Sequence, residues 1–311
     1  MRNTILLLLF FAACDDAPAG PPDPLTPPPA GQGFQLGIDT TAPAHTEIWK
    51  CFIKKWPLRD YSDIHSVEHL QSSAMHHMDL MVILYSGLDK PEGEYDCRPL
   101  YDQYPKLMEE TILYGAQAAH ARIDLPDGVA AEVPPGLTVM YEVHYVNATD
   151  QDQHVFSRIN GWLMNPLDVK NTIYGGVVRD RYLNIPPQQD HTEWSRCTFD
   201  QDIDLLLVSS HTHRLGRDVK IFKFDGQNTG DQIFENDDWQ SPTLTHMNPT
   251  LHIAAGQGLE FRCHYFNDTD AEVHYGYMAS DEMCSMTLVY TPGTTGAHCS
   301  VVQTSDGVIM P

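Results

Sequence analysis

The stretch "LTVMYEVHYVN" (137–147) alternates apolar and polar residues, is rich in β-branched and aromatic side chains, and follows the turn "VPPG" (133–136). That pattern belongs to a β-strand, in which successive side chains point to opposite faces. Similar short stretches recur at "DIDLLLVSSHTH" (202–213), "VKIFKF" (219–224), "LEFRCHYFN" (259–267) and "SMTLVYT" (285–291). Gly, Pro, Asn and Asp punctuate them, as in "DG" (225–226), "GQG" (256–258) and "PG" (292–293). Only 100–119 carries a helical period, and Pro105 interrupts it. The expected fold class is all-β, many short strands closing a sandwich or a barrel. Pro166 and the pair Gly175-Gly176 mark a boundary near 165–180. The likeness of "VHYVN" (143–147) to "CHYFN" (263–267) hints at two similar units.

The chain has 311 residues, 42 acidic against 19 basic, and a formal charge of −23. Such a field repels nucleic acid and anionic membrane and attracts cations. The first residues, "MRNTILLLLFFAAC", place one Arg before an apolar run too short to span a bilayer and end it on small residues before Cys14. This predicts a bacterial lipoprotein signal over 1–13, with Cys14 lipidated as the first mature residue. The Pro-rich segment 14–33 then reads as a tether, and the body sits extracytoplasmically in the cell envelope, touching membrane only through its anchor. An ordinary signal peptide with a chance Cys is the plainer alternative. With Cys14 set aside, six cysteines remain, an even number that in an exported chain predicts three disulfides. Asn147-Ala148-Thr149 and Asn267-Asp268-Thr269 are glycosylation sequons by pattern, without significance in a lipoprotein.

His211 and His213 are two residues apart at the end of an apolar strand, so they share a face and form a bidentate platform for a transition metal. Two ordinary polar strand residues would read the same way. His76 and His77 are adjacent, and a regular strand sends them to opposite faces. They serve one metal only at a strand end or a bulge. His144 alone reads as a structural histidine. Met283 alone reads as core filler, yet its thioether is a soft ligand that prefers copper. His65 and His69 have the i, i+4 spacing of a helical zinc pair but lack the Glu of H-E-x-x-H.

Taken in order, "HHM" (76–78), "EVHY" (142–145), "HTHRLG" (211–216) and "DEMC" (281–284) resemble the copper type II, ascorbate-dependent monooxygenases, the family of peptidylglycine α-hydroxylating and dopamine β-monooxygenase. "WKCFIKKWPL" (49–58), "IPPQ" (185–188) and "EFRCHYFN" (260–267) match in style. The resemblance implies two tandem antiparallel, jelly-roll-like β-sandwich domains, here 34–172 and 173–303 with a tail over 304–311, each holding one copper. It implies His76, His77 and His144 around an electron-transferring copper. His211, His213 and Met283 would surround the copper where dioxygen binds and catalysis occurs. It implies the disulfides Cys51–Cys97, Cys197–Cys299 and Cys263–Cys284.

The implied reaction is hydroxylation of a C–H bond in a small organic substrate, with dioxygen and ascorbate or another one-electron donor as co-substrates. In the peptide-amidating branch an Arg two residues before the H-x-H pair binds the peptide carboxylate, and an Asn and a Tyr follow "EMC". Here these positions are Ser209, Ser285 and Thr287. Peptide amidation is therefore not expected, and "EVHY" with the acidic charge leans towards a cationic or aromatic amine. The rival reading is a non-catalytic envelope lipoprotein that stores or delivers copper through the same ligands.

Overall fold

The structure, a computed structural model, describes residues 24–73, 75–278, 280–293 and 297–308. The expected signal segment, Cys14 and the first part of the tether lie outside them. Nearly every described element is a β-strand. The opening stretch forms Thr138–Asn147, the middle of a five-stranded sheet ordered Gly93–Asp96, Thr46–Lys55, Thr138–Asn147, Met75–Ile83, Thr111–Ala116. A second sheet runs Gly33–Ala42, Gln153–Leu163, Ser62–Gln71, Val129–Val133, Asn171–Thr172, with His120–Asp124 also paired to Ser62–Gln71. Strand alternation explains both faces of the central strand. Val139, Tyr141, Val143 and Tyr145 enter the core against Phe34, Ile48 and Ile159. Met140 points the other way, onto a smaller cluster with Leu100, Leu107 and the bonded Cys51 and Cys97. Glu142 and His144 follow Met140 on that same face.

The residues of 100–119 do not make one helix. A helix spans Cys97–Gln103, a 3-10 turn spans Pro105–Glu109, and Thr111–Ala116 is a strand. Tyr104, just before the proline, sits at φ −126° and ψ 70°, outside the helical region as a pre-proline residue prefers. The end of the supposed tether is docked as well. The carbonyls of Leu25 and Thr26 accept bonds from the Gln35 and Asn160 side chains, and the first strand begins at Gly33. Ser300–Thr304 turns back onto Gly307–Val308, so residues 300–308 extend a sheet.

Residues after 173 repeat the plan. One sheet runs Thr229–Asn236, Gly216–Phe224, Gly258–Asn267, Gln189–Thr198, Ser300–Thr304, Gly307–Val308. The other runs Tyr174–Arg179, Ser285–Thr291, Ile203–His211, Thr245–Ile253. Among the described residues, no strand before Ile173 pairs with one after it. The core of this half gathers Ile203, Leu205, Ile221, Phe261, Tyr265 and Leu288. Cys197–Cys299 and Cys263–Cys284 are bonded within it.

The two sequons show how closely the halves correspond. Asn147 lies opposite Thr46, and Asn267 lies opposite Gln189. Asn147 Nδ2 donates to the carbonyls of Ala42, Pro43 and Gln151, and its Oδ1 accepts from the Thr149 amide and hydroxyl. Asn267 repeats this with Ile185, Pro186, Ala271 and Thr269. The residue before each partner strand, His45 or Gln188, has a positive φ of 56° or 54°. These asparagines are 2% and 0% exposed, so N-x-T is here a device for pinning a hairpin turn to the neighbouring strand, not an acceptor for sugar.

Candidate metal centre

His76 and His77 reach one face through a β-bulge. Met75 is in register with Tyr145 and His77 with His144, so His76 is the extra residue on its strand. The rings of His76, His77 and His144 lie 5.0–5.2 Å apart, centroid to centroid. A ligand nitrogen from each falls within 4.8 Å of the other two, and the Nδ1 atoms of His76 and His77 are 2.9 Å apart. Three imidazole nitrogens converging in this way can hold a transition metal.

Carboxylates behind the rings set which nitrogen faces inward. Glu142 approaches His77 Nε2 at 3.4 Å while accepting from Trp49 Nε1 at 2.6 Å and the Tyr101 hydroxyl at 2.5 Å. Glu47 engages His144 Nε2. Each of these histidines therefore keeps Nδ1 for the cluster, the arrangement in which an outer carboxylate orients a metal-binding imidazole. Burial, then the neighbouring rings of His77, His144 and His213, holds His76 down to about 3. Burial lowers His144 as well, reinforced by His77. For His77, burial is outweighed by the bond to Glu142, which raises it and holds Glu142 below its ordinary value despite burial. Rings that resist protonation, here His76 and His144, present lone pairs to a metal at neutral pH.

The second set forms at the end of Ile203–His211, where "HTH" leaves the sheet. His211 and His213 rings are 5.1 Å apart. His213 Nδ1 donates to the Asp281 carbonyl at 2.9 Å, leaving Nε2 for a ligand. Met283 is 6% exposed, and its carbonyl accepts the Tyr265 hydroxyl at 2.8 Å beside the Cys263–Cys284 bond. Glu282 joins the two segments. Its carboxylate accepts the backbone amides of His213 at 2.9 Å, Leu215 at 2.7 Å and Met283 at 3.1 Å, from a fully buried position. Burial pushes it up to about 7 against the pull of those three donors. Burial also lowers His211 and His213, with a further contribution to His211 from His213, and then from His77 and His76 in the other half.

That last effect reflects how the halves meet. His77 and His144 line one wall of a cavity of about 1520 Å³, and His211, His213 and Met283 line another. The Trp239 ring, from the second half, lies 6.1 Å from His76, and its carbonyl accepts from Gln117. Leu125 and Val129 pack against Leu206 and Leu207 across the junction.

Five of the six predicted ligand residues thus border one space, and His76 joins them through its contacts with His77 and His144. His69 does not join them: it lies on a strand, with Nδ1 2.6 Å from the Tyr114 hydroxyl and Nε2 2.8 Å from the Ala118 carbonyl. Glu142, Glu47, Glu282 and Asp281 were not picked out from the sequence. Three of them stand inside recognised motifs, Glu142 in "EVHY" and Asp281 and Glu282 in "DEMC", and a carboxylate close to a ligand was the available signal.

Residues 172–307 match the family model described as the C-terminal domain of copper type II ascorbate-dependent monooxygenase. That segment contains His211, His213 and Met283. No curated protein matches the chain. Among solved structures, the STIV MCP is similar at 9% identity and a TM-score of 0.35, over 84% of this chain and 97% of that one. The infectious bursal disease virus VP2 subviral particle is similar at 10% identity and a TM-score of 0.18, over 91% and 80%. Likenesses this weak do not separate one β-rich protein from another.

Proposed function

We propose that this protein is a copper-dependent monooxygenase that hydroxylates a C–H bond of a small organic substrate, using dioxygen and a one-electron reductant such as ascorbate. The observation that carries the reading is that two different ligand sets border one cavity: a three-imidazole cluster, through His77 and His144, and two imidazoles with a thioether. The family match over the second half supports it. Copper supplies one-electron redox chemistry and activation of dioxygen when bound, and the donors fit it: neutral nitrogens suit either oxidation state, and the sulfur of Met283 favours Cu(I). His76, His77 and His144 would hold the electron-accepting ion. His211, His213 and Met283 would hold the one at which the substrate reacts.

The remaining residues orient these ligands. Glu142 and Glu47 fix the ring faces of His77 and His144. The Asp281 carbonyl fixes His213, and Glu282 ties the His213 and Met283 backbones together so that nitrogen and sulfur approach from two segments at a set distance. A storage protein needs neither two unlike ligand sets nor a substrate-sized space between them. Cys14 would carry a lipid holding this body at an extracytoplasmic membrane surface. The disulfides fit an oxidising compartment.

The test is metal analysis of copper-loaded protein, followed by reductant-dependent uptake of isotopically labelled dioxygen with a screen of small acids, amides, amines and aromatics. Two coppers per chain and label in a hydroxylated product are expected. Copper binding without oxygen uptake under any reductant would leave storage as the better reading.

A further inference from the structure

The register of the sheet that carries His211 brings an arginine into the same row. His211 pairs with Ser285, and Ser285 pairs with Arg179 on the next strand. Because alternate residues share a face, the row below holds Ser209, Thr287 and Val177, and the row below that holds Leu207, Val289 and Gly175. All nine border the cavity. The floor therefore grades from a charged corner, through hydroxyls, to aliphatic side chains. Strands are spaced about 4.8 Å apart, so the Arg179 and His211 backbones are roughly 10 Å from each other.

The Arg179 side chain makes no hydrogen bond or ion pair with any described residue, in a chain with 42 acidic residues against 19 basic. Of the carboxylates that line the cavity, four are engaged elsewhere and Glu132 is exposed to solvent. Glu47 and Glu142 hold histidines, Asp96 pairs with Lys50, and Glu110 accepts the amides of Leu84, Tyr85 and Ser86. Asp79 is close enough to feel the charge of Arg179 but forms no ion pair with it. Beside Arg179, Ser285 is 1% exposed and its hydroxyl has no hydrogen-bond partner. A guanidinium and a buried hydroxyl, both unpartnered and both bordering a cavity, form an incomplete set of donors whose natural complement is a planar anion.

We propose that Arg179, with the Ser285 hydroxyl, is the anion-recognising corner of the substrate site. The substrate is then a small organic acid whose carboxylate docks there and whose apolar body lies over Val177, Thr287 and Val289. This rests on the reading of His211, His213 and Met283 as the reacting centre. It runs against the amine expected from overall charge: the local field at this wall is set by the nearest unpaired charge, not by the total.

Calorimetric titration of the copper-loaded full chain with phenylacetate, phenylacetamide and phenethylamine tests it, with benzoate as a second acid. Phenylacetate should bind about tenfold or more tightly than its amide, the value of a charge-assisted bidentate contact, and the amine should bind most weakly. Arg179→Gln should erase the preference for acid over amide. Arg179→Lys should keep part of it. Equal binding of acid and amide, a preference for the amine, no saturable binding of either acid, or an acid preference that survives Arg179→Gln would each overturn the assignment. Should Arg179→Gln fail to fold, the wild-type ratio and Arg179→Lys still decide. Oxygen uptake separates the two readings. Hydroxylation without acid preference removes only the role of Arg179, whereas acid binding without oxygen uptake under any reductant removes the proposed activity.

Discussion

Replacing Glu142 with Gln keeps the shape of a buried side chain and removes its charge. The carboxylate accepts Trp49 Nε1–H at 2.6 Å, accepts the Tyr101 hydroxyl at 2.5 Å and faces His77 Nε2 at 3.4 Å, from a position 4% exposed. Gln offers one oxygen, which can satisfy Trp49. Its amide must then donate to Tyr101, whose own proton is left without an acceptor. Exchanging the Trp49 bond for a neutral one and leaving the Tyr101 proton unpaired cost about 1 kcal/mol each, hence about 2 kcal/mol of stability. For a β-sandwich of this size, that lowers Tm by roughly 4–10 °C. The metal effect is separate. Losing the carboxylate that orients an imidazole ligand weakens metal binding by about 10–100-fold, and here the loss should fall on the three-histidine set alone, because Glu142 touches no residue of the other. The assay is chelator competition for copper in wild type and Glu142→Gln, with thermal unfolding of the metal-free proteins. Wild-type copper affinity in the variant, or an equal loss at both sites, would refute the reasoning that Glu142 holds His77.

Met283→Leu preserves bulk at a 6% exposed position, so it should unfold near the wild-type temperature yet lose most reductant-dependent oxygen uptake. A fully active variant would return Met283 to core filler. Glycosylation-competent expression should leave Asn147 and Asn267 unmodified by mass spectrometry. Asn267→Ala should cost about 2–4 kcal/mol in denaturant unfolding, since it strips partners from three carbonyls, an amide and a hydroxyl. Burial pushes Glu260 up, but donors from Thr229, Arg196 and Arg262 outweigh it and hold the group below its ordinary 4.5. Its share of stability is then present above 4.5 and lost as pH falls through the lowered folded value. Glu260→Gln should flatten that acid arm of a stability–pH curve, and an unchanged arm would contradict the linkage.

Local pattern determined a good deal of this protein. Period-two alternation in 137–147 announced an all-β chain, and the central strand it forms sends Val139, Tyr141 and Val143 to one side and Met140, Glu142 and His144 to the other. The H-x-H spacing placed His211 and His213 together because two residues is the repeat of a strand. These features depend only on backbone geometry over a few residues. Tertiary structure decided what depends on register and on distant partners. A single bulge at His76 turned an adjacent pair into a convergent one, and the pairing partner His144 lies far along the chain. Alternation could place Glu142 beside His144 but not show that Trp49 and Tyr101 would neutralise the cost of burying it. The Asn-x-Thr triplets read as sequons by pattern and without significance until hydrogen bonds to other strands gave them a structural role. Arg179 carried no motif, and only the pairing of three strands put its charge in the row of His211. A side chain's neighbours along the chain set its direction, but its partner is set by which strands lie alongside, and that is chosen by the burial of the whole core.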